Sequence, residues 1–256
     1  MPLRLRSELR LRVGPQHCEA SLWAPGLKVR RTACARATGP GALAVDGAVE
    51  ELLAAGHRLP RTASVCAEDE HLYYAVLPAD GVWHDALHQA RAHFSAMVGD
   101  TDLLVSTQLA PSGRQWLAVA LAADRVEGWR QSLAGRDIGL GQVRAALFED
   151  LWRLRADLPA RSGLVVLVRS EGVMVVSLQA GAISDIAWER CEVTDRAVLR
   201  ARVDAHGERL SQRAGAGSPL LPVLIVPADA AQQPWLTPLA DVAGWRVVAS
   251  ATARDA

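Results

Sequence analysis

The sequence predicts an α/β protein built from two similar halves, and three observations carry that prediction. Short segments with the alternating or continuous hydrophobicity of strands are interleaved with segments of helical spacing. A pattern of three strands and a helix opens the chain and restarts at Gly163. The spacing from the first strand to the second turn is the same in both halves, from Val13 to Gly26 and from Val168 to Gly181. A restart at the middle of a chain indicates an internal duplication.

The first half is predicted to open with a meander, because turns of glycine and proline separate three β-prone segments. A helix follows, and two further strands flank the acidic turn Glu68-Asp69-Glu70 as a hairpin. The most amphipathic segment, Gln142–Leu158, is predicted to be a helix with Val143, Leu147 and Leu151 on one stripe. The predicted strands are Leu3–Val13, Cys18–Trp23, Leu27–Ala35, Thr62–Ala67, His71–Leu77, Asp102–Gln108 and Gln115–Ala120, and the other predicted helices are Ala44–Ala55, Trp83–Val98 and Ala123–Ala134.

The second half is predicted to repeat the meander and the helix. Its first segment is a continuous apolar run, which is typical of a strand buried on both faces. A polar, glycine-containing loop follows the long helix at Ser211–Ser218. The predicted strands are Gly163–Val168, Val173–Leu178, Ala182–Trp188, Leu220–Val226 and Trp245–Ser250, and the predicted helices are Thr194–Leu210 and Gln233–Asp241.

The balance of charge argues against one class of partner. The chain of 256 residues has 28 Lys and Arg against 28 Asp and Glu, so its formal net charge is zero. Because a nucleic-acid binder needs a basic excess to neutralise phosphates, we expect no nucleic-acid partner. Arg4, Arg6, Arg10 and Arg12 share one face of the first predicted strand, and we interpret that face as solvated and opposite the apolar positions.

Cysteine usage and hydropathy indicate the compartment. The four cysteines are scattered and form no CxxC pair, which is typical of reduced, mostly buried thiols. No signal peptide is evident, and no apolar run approaches the roughly 18 residues that span a bilayer. We therefore expect a cytoplasmic protein with no direct membrane insertion, and peripheral attachment to a membrane complex stays open.

The middle of the chain carries a resemblance to a known family. The stretch from Ser64-Val65-Cys66 to Tyr74-Ala75-Val76-Leu77-Pro78 is followed by a helix containing Ala90-Arg91-Ala92-His93-Phe94. This arrangement resembles short relatives of the type IV pilus assembly protein PilM and the cytoplasmic part of the type II secretion protein GspL, within the actin/Hsp70/sugar-kinase superfamily. The resemblance covers most of the chain in layout, with few sequence motifs.

The resemblance implies a fold of two duplicated ribonuclease-H-like lobes, as in actin-like ATPases. Each lobe would be a mixed sheet with a β-meander and flanking helices. Residues 1–158 would form the first lobe, with an inserted subdomain at about 62–134, and residues 159–256 would form the second lobe.

Families of this superfamily hold the phosphates of a nucleotide at two Asp-x-Gly turns, where the carboxylate positions Mg²⁺ or its water and the glycine admits the phosphate. Here the first turn reads Arg12-Val13-Gly14-Pro15, with Arg in place of Asp and a proline that removes a donor. The second reads Val168-Arg169-Ser170-Glu171-Gly172, and the later segment Pro227-Ala228-Asp229-Ala230 lacks the expected glycine. We expect no cofactor and disfavour ATP and Mg²⁺. The residues of a degenerate nucleotide pocket would be Gly14, Glu171 and Gly172.

Two other constellations have a chemical and a plain structural interpretation. His84 and His88 have the i, i+4 spacing that places two metal ligands on one helix face, but no third ligand is apparent, and an exposed helix surface explains them better. Cys66 near Glu68 and His71 has the composition of a nucleophile with a base, although neighbouring strands of a hairpin bring many residues this close. We expect no metal site and no catalytic residues.

These observations predict a non-catalytic cytoplasmic scaffold, peripheral to the inner membrane, in a type IV pilus or type II secretion-like assembly. By resemblance, its partner would be the cytoplasmic tail of an inner-membrane protein, held in a groove between sheet and helix or added to a sheet edge. Contact with the assembly ATPase and a homodimer are left open. The alternative is a divergent nucleotide-dependent kinase or ATPase of the actin-like superfamily.

Overall fold

The computed structural model describes nine stretches of the chain, and all structural statements concern these residues. They are 7–26, 30–78, 82–99, 102–110, 115–160, 162–192, 194–214, 221–228 and 231–248. Six sequence predictions lie wholly or partly outside them. These are the start of Leu3–Val13 with Arg4 and Arg6, the start of Leu27–Ala35, most of the Ser211–Ser218 loop, Asp229-Ala230, and the ends of Leu220–Val226 and Trp245–Ser250.

The described residues contain strands, helices and two short 3-10 turns, at 69–71 and 237–241. The strands are β1 (Glu8–Val13), β2 (His17–Ala24), β3 (Arg30–Thr38), β4 (Thr62–Ala67), β5 (Leu72–Pro78), β6 (Leu103–Leu109), β7 (Gln115–Ala122), β8 (Gly139–Ala145), β9 (Gly163–Val168), β10 (Gly172–Gln179), β11 (Ala182–Arg190), β12 (Val223–Val226) and β13 (Trp245–Val247). The helices are α1 (Gly41–Ala54), α2 (Trp83–Val98), α3 (Ala123–Ala134), α4 (Ala146–Arg153), α5 (Arg196–Ala214) and α6 (Gln233–Leu236).

Two five-stranded sheets have the same strand order. The first sheet runs β3-β2-β1-β4-β8, and the second runs β11-β10-β9-β12-β13. In each, the first three strands form an antiparallel meander and the last two pair in parallel. This repeated topology confirms the predicted fold class of two similar mixed sheets with flanking helices.

The first sheet has an apolar face that packs on α1 and α3. Leu9, Leu11 and Val13 alternate with charged residues along β1, so their side chains all enter this core. Helix α1 contributes buried residues at helical spacing, from Ala44 to Leu52. The other face of the sheet carries the polar residues of the alternation, and they remain half-buried.

The second sheet is buried on both faces. Every residue of β9 is buried, and so is nearly all of β10. One face packs on α5, α6 and the turn after α6, and the other packs on α4 and the third sheet. A continuous apolar run is the sequence that such a strand requires.

A third, smaller sheet of order β5-β7-β6 lies against both large sheets, with α2 on its outer side. Its inner face contributes Leu72 and Leu121 to the first core and Leu117 to the second. The domain boundaries stay predictions. Strand β4 and helix α3, which fall within the predicted subdomain at 62–134, pack with the first sheet.

Two predicted elements are wrong. The first four residues of the predicted helix Gln142–Leu158 belong to strand β8 (Gly139–Ala145), which pairs in parallel with β4. The helix begins only at Ala146. The predicted hairpin around Glu68-Asp69-Glu70 does not form, because β4 pairs with β1 and β8 whereas β5 pairs with β7. The acidic segment therefore connects β4 of the first sheet to β5 of the smaller sheet.

None of the helices in the described part of the chain combines the length and the hydrophobicity that a membrane-spanning helix needs.

Candidate functional site

The candidate site lies where β1 and β9, the corresponding strands of the two large sheets, reach their first turns. The amide N–H of Gly14 donates to the carbonyl of His17 over 2.9 Å, and the N–H of Arg169 donates to the carbonyl of Gly172 over 2.8 Å. The two turns are therefore closed by the same hydrogen bond. By this pairing, Arg169 in the second half is the counterpart of Gly14 in the first.

The side chain of Arg169 connects the second sheet to two carboxylates of the first half. Its Nε donates to Oδ2 of Asp69 over 2.6 Å, and its Nη2 also lies 2.6 Å from that oxygen. The carboxylate of Asp150, on α4, lies 2.7 Å from the guanidinium as an ion pair by distance. All three side chains are at most 4% exposed. A guanidinium removed from water needs carboxylate partners, and Arg169 has two of them, Asp69 and Asp150.

Arg12, at the end of β1, forms the second half of the same cluster. Its Nε donates to Oε1 of Glu68 over 2.9 Å, and its guanidinium lies 3.8 Å from Asp150. His17 Nε2 lies 3.4 Å from the same oxygen of Glu68. We call Arg12, Arg169, Glu68, Asp69 and Asp150 the arginine–carboxylate cluster.

The carboxylate of Asp69 is held from several sides. The hydroxyl of Tyr74 donates to its Oδ1 over 2.6 Å, and the backbone N–H of Leu147, in the first turn of α4, donates to the same oxygen over 3.2 Å. Asp69 is fully buried. The interacting groups come from β1, from β5, from α4 and from the segments that follow β4 and β9. The cluster therefore joins the three sheets and the helix that connects the halves.

The electrostatics of the cluster favour the charged forms of its members. Burial opposes ionisation of Arg169, but Asp69 and Asp150 overcome it and raise the pKa of the guanidinium. Burial likewise opposes the charge on Glu68, yet the hydrogen bond from His17 and the charge of Arg12 lower its pKa to about 2. The hydrogen bond to Glu68 raises the pKa of His17. Arg169 and Glu68 are therefore charged near neutral pH.

The space that a phosphate would need at Gly14 is filled by the chain itself. A methyl group added at Gly14 would lie 2.4 Å from the His17 ring and 2.6 Å from the Glu68 carboxylate. The two guanidinium groups beside it already face carboxylates. These residues do not fit a nucleotide with Mg²⁺, because the nearby carboxylates are engaged by arginine and the side chains of His17 and Glu68 lie against the glycine.

The other two predicted pocket residues have different surroundings. A methyl group at Gly172 would lie 2.2 Å from the backbone oxygen of Glu189 on β11, so close packing of β10 and β11 explains this glycine. The carboxylate of Glu171 pairs with Arg190 on β11. Between the lobes, Ser170 donates to Glu70 over 3.3 Å. The assignment of Gly14, Glu171 and Gly172 to a nucleotide pocket stays a prediction.

The cysteine and histidine constellation does not assemble into a nucleophile and base. Cys66 lies opposite Arg12 in the sheet register, and burial raises the pKa of its thiol although Arg12 opposes this. His71 contacts Arg125 and packs edge-on against Trp129, whose ring belongs to the core on the other face of the sheet. The ring of His71 is therefore directed away from the thiol.

The histidine pair on α2 also lacks a third ligand among the described residues. His84 is exposed and packs edge-on against Trp83, with 5.8 Å between the ring centroids. The described part of the chain contains no group of three His, Cys, Asp or Glu side chains that would hold a metal ion.

Sequence reasoning missed the functional importance of Asp69, Asp150 and Tyr74. The acidic segment at 68–70 could have indicated buried cationic partners, because three adjacent carboxylates between two apolar strands are costly to bury without cations. No local pattern identifies their partner, since Arg169 is 100 residues from Asp69.

A second feature is a groove between the edge strand β6 and helix α3, with a volume of ≈ 570 Å³. Leu104 on β6 and Val126 on α3 supply its apolar lining. Leu104 is 50% exposed. The acidic side chains Asp102, Asp124 and Glu127 border the groove, and Arg130 pairs with Glu127.

Comparison with known structures identifies the architecture. The PilM-PilN type IV pilus biogenesis complex matches with a TM-score of 0.69 and 15% identity, over 94% of this chain and 87% of that chain. A Bacteroides thetaiotaomicron protein of unknown function with an actin-like ATPase fold matches with a TM-score of 0.58 and 7% identity, over 94% and 90% of the two chains. The chain has the actin-like ATPase fold.

The resemblance predicted from the sequence is thus confirmed at the level of the fold. The cytoplasmic domain of EpsL, an inner-membrane component of the type II secretion system of Vibrio cholerae, also matches, with a TM-score of 0.50 and 10% identity over 87% of this chain and 82% of that one. No family model matches the sequence, and comparison with curated proteins gives no match.

Proposed function

We propose that this actin-like protein is a non-catalytic scaffold of a type IV pilus or type II secretion-like assembly. It acts in the cytoplasm, at the inner membrane, where it docks the cytoplasmic tail of an inner-membrane partner. One observation carries the non-catalytic part of the proposal: the arginine–carboxylate cluster occupies the place where an actin-like enzyme would hold phosphate and metal.

The cluster supports a structural role in place of nucleotide chemistry. A catalytic carboxylate must be available to a metal or a water, whereas Asp69 already accepts from Arg169, Tyr74 and a backbone amide. Opening such a buried ion pair to admit a ligand would cost about 3–5 kcal/mol. A fixed relation between the lobes is useful for a scaffold, because it preserves a docking surface.

The groove between β6 and α3 is the proposed docking site for the tail. Strand β6 pairs only with β7 among the described strands, so its outer edge has backbone groups available to an added strand. Leu104 and Ala123 offer an apolar contact beside that edge. An extended peptide would thus find main-chain hydrogen bonds on one side and apolar side chains on the other.

The charge of the groove fits a tail on the cytoplasmic side of a membrane. Cytoplasmic segments next to transmembrane helices are enriched in Lys and Arg. The groove presents Asp102 and Asp124 in addition to Glu127, which is paired with Arg130. The structural similarity to the PilM-PilN complex supports the same class of partner. The assembly ATPase as a second partner, and a homodimer, have no assigned surface.

Affinity capture from bacterial membranes tests this function. The tagged full chain is incubated with detergent-solubilised inner membranes of a bacterium that has a type IV pilus or type II secretion system. We expect recovery of a single-pass inner-membrane component of that machine. The variant Leu104→Arg should lose this component, because it places a cation in the acidic groove.

The matched control is Leu43→Arg, since Leu43 is 66% exposed on α1, outside the groove. It should recover the partner as the unchanged protein does. If the unchanged protein recovers no pilus or secretion component, the proposed function is wrong. If Leu104→Arg and Leu43→Arg behave alike, the groove is not the docking site.

A further inference from the structure

The edge strand β6 directs backbone groups away from β7 at every second residue. The amide N–H of Ala110 donates to the carbonyl of Gln115 over 2.8 Å, and the N–H of Ala123 donates to the carbonyl of Asp102 over 2.9 Å. Both ends of β6 therefore bond to β7 through an even-numbered residue, and the register between them is continuous. In an antiparallel pair, residues that bond to the neighbouring strand alternate with residues that do not. The N–H and C=O groups that point away from β7 thus belong to Leu103, Val105, Thr107 and Leu109.

The same alternation gives the two faces of β6 different neighbours. Side chains of the odd-numbered residues lie on the face that α2 covers, where Leu103 and Val105 pack against the cluster containing Phe94. Side chains of the even-numbered residues lie on the opposite face, where Leu104 lines the groove with α3. The side chains of a strand added to this edge would alternate between the same two faces.

The face on the α2 side is apolar along the edge. Leu103 and Val105 are half-buried, and Leu109 is 49% exposed on the same face. The side chain of Thr107, which lies between them, is buried and offers no polar contact to an added strand. Since neighbouring side chains on one face of a sheet contact each other, apolar residues of the tail suit this side.

The face on the groove side combines an apolar strip with negative charge. Leu104 and Ala123 form the apolar part. Asp102 and Asp124 border it, and neither has an ion-pair partner among the described residues. A lysine or arginine of the tail suits this side, because its aliphatic stem covers apolar surface while its charged end reaches a carboxylate.

We propose that β6 recognises the tail as an added strand of up to seven residues, the length of β6, in which apolar and basic residues alternate. The apolar side chains face α2 and the basic side chains face α3. The inference rests on the proposed docking of a tail in this groove, and it specifies the sequence that the groove accepts. A basic segment without alternation would place lysines on the apolar face, so its charge alone would not make it fit.

Fluorescence anisotropy of the full-length protein with labelled heptapeptides tests the sequence pattern. One peptide alternates lysine and leucine, and the control peptide has the same composition with four lysines followed by three leucines. We expect the alternating peptide to bind at least about tenfold more tightly, because only it presents one chemistry to each face. Asp124→Asn should weaken its binding about threefold. The matched control is Asp241→Asn, an exposed aspartate of the second half, which should leave the affinity unchanged.

Backbone methylation of the alternating peptide tests the hydrogen bonds. A methyl group on one amide nitrogen at a time removes a donor and blocks the approach of the facing strand. We expect losses of about tenfold at every second residue and little change at the residues between them. Losses at the leucines would indicate an antiparallel added strand, and losses at the lysines a parallel one.

A substitution in β6 tests the same bonds from the side of the protein. Val105→Pro removes one outward N–H and leaves the bonds to β7 in place, because the N–H of Val105 points away from β7. It should weaken the alternating peptide about tenfold. Val105→Ala is the matched control, since it loses side-chain packing and keeps the N–H. If Val105→Pro fails to fold, the methylation scan with the unchanged protein decides the question.

Three results would overturn the inference. One is equal affinity for the alternating and the block peptide. Another is a methylation scan whose losses do not recur at every second residue. The third is a dimer, measured by sedimentation, that Val105→Pro abolishes while no peptide binds, which would assign the edge of β6 to a second copy of the chain.

Failure of this inference is distinguishable from failure of the proposed function. Capture of a membrane partner without a preference for the alternating peptide would leave the function in place and exclude this mode of recognition. Binding of the alternating peptide with the expected methylation pattern, but no capture of a pilus or secretion component, would keep β6 as a peptide-binding edge and exclude the function.

Discussion

The two large sheets share one strand order but differ in what covers them. In the second sheet, β9 is buried along its whole length and both faces are packed with apolar side chains. In the first sheet, β1 alternates, with one face in the core and the other exposing arginines beside glutamates. A duplicated topology therefore does not imply a duplicated role. The second sheet lies in an apolar interior, whereas the first sheet has one polar, half-buried face.

The arginine–carboxylate cluster lies at the junction of these two sheets. Arg169 comes from the buried sheet, and Asp69 and Glu68 come from the segment that follows the first sheet. The strength of this junction decides whether the two lobes can move.

The largest effect is expected for a charge placed in the second sheet. Val166 is fully buried in β9, so Val166→Asp would leave an unpaired carboxylate in an apolar core. We expect a loss of more than about 4 kcal/mol in the free energy of unfolding, and for a marginally stable protein the loss of the fold. Circular dichroism and urea unfolding measure this.

The matched substitution in the first sheet is Gln142→Asp, because Gln142 is exposed on β8 and already accepts a hydrogen bond from Arg144. It should change the free energy of unfolding by less than about 0.5 kcal/mol. Equal destabilisation by the two substitutions would contradict the contrast between the sheets.

The next largest effect is expected at the junction. Arg169→Leu removes the cation from between Asp69 and Asp150 and leaves both carboxylates buried. Breaking such a pair costs about 3–5 kcal/mol in the free energy of unfolding, measured by urea titration. Arg190→Leu is the control, because Arg190 is 77% exposed and its pair with Glu171 is screened by water. A loss below about 1 kcal/mol for Arg169→Leu would mean that the cluster does not hold the lobes together.

A smaller, graded effect is expected from acid. The pKa of Glu68 is lowered in the folded state, from 4.5 to about 2, so this group stabilises the protein above its unfolded pKa. That contribution is lost as pH falls from about 4.5 towards 2. Urea midpoints measured across this range should fall for the unchanged protein, and Glu68→Gln should have a flatter profile. Parallel profiles would show that Glu68 does not contribute.

His17 gives the opposite slope at higher pH. Its folded pKa is raised above 6.5 by Glu68, so its contribution is complete below that value and is lost as pH rises through the folded pKa. His17→Gln should remove this decline in the urea midpoint above pH 6.5. A decline that persists in the variant would exclude His17 as its source.

The smallest effect is expected from a nucleotide. Because His17, Glu68 and the guanidinium groups fill the site at Gly14, Mg²⁺ and ATP at millimolar concentration should leave the melting temperature unchanged. Thermal unfolding with and without the nucleotide measures this, with Mg²⁺ alone as the control. A large upward shift would favour the alternative of a divergent kinase or ATPase.

Local sequence patterns are sufficient to predict the bounds of strongly periodic strands and helices. Thr62–Ala67, Gly163–Val168 and the helices Trp83–Val98 and Ala123–Ala134 have the bounds that the sequence predicts. Local patterns were insufficient at residues 142–145, where the amphipathic pattern of Gln142–Leu158 indicates a helix and the structure has the end of strand β8. The backbone of that segment pairs with β4, and a pairing partner so distant in sequence leaves no local signature.

The candidate site shows the same limit. The turns at Gly14 and Gly172 and the arginines beside them were predictable from the sequence, as was the departure from a phosphate-binding pattern. The partners of those arginines were not. Asp150 lay within a predicted amphipathic helix and gave no sign of its burial, and the acidic segment 68–70 was assigned to a hairpin turn.

The sequence by itself determined the two similar halves and the different character of their first strands, because side-chain alternation and continuous hydrophobicity are local properties. Only the tertiary structure decided that Arg169 faces Asp69 and Asp150 and that Arg10 stacks on Trp23 above a cavity. Contacts between residues far apart in the chain depend on how the sheets are placed. Burial then fixes which charges must be paired, since an unpaired ion in a water-free interior is costly.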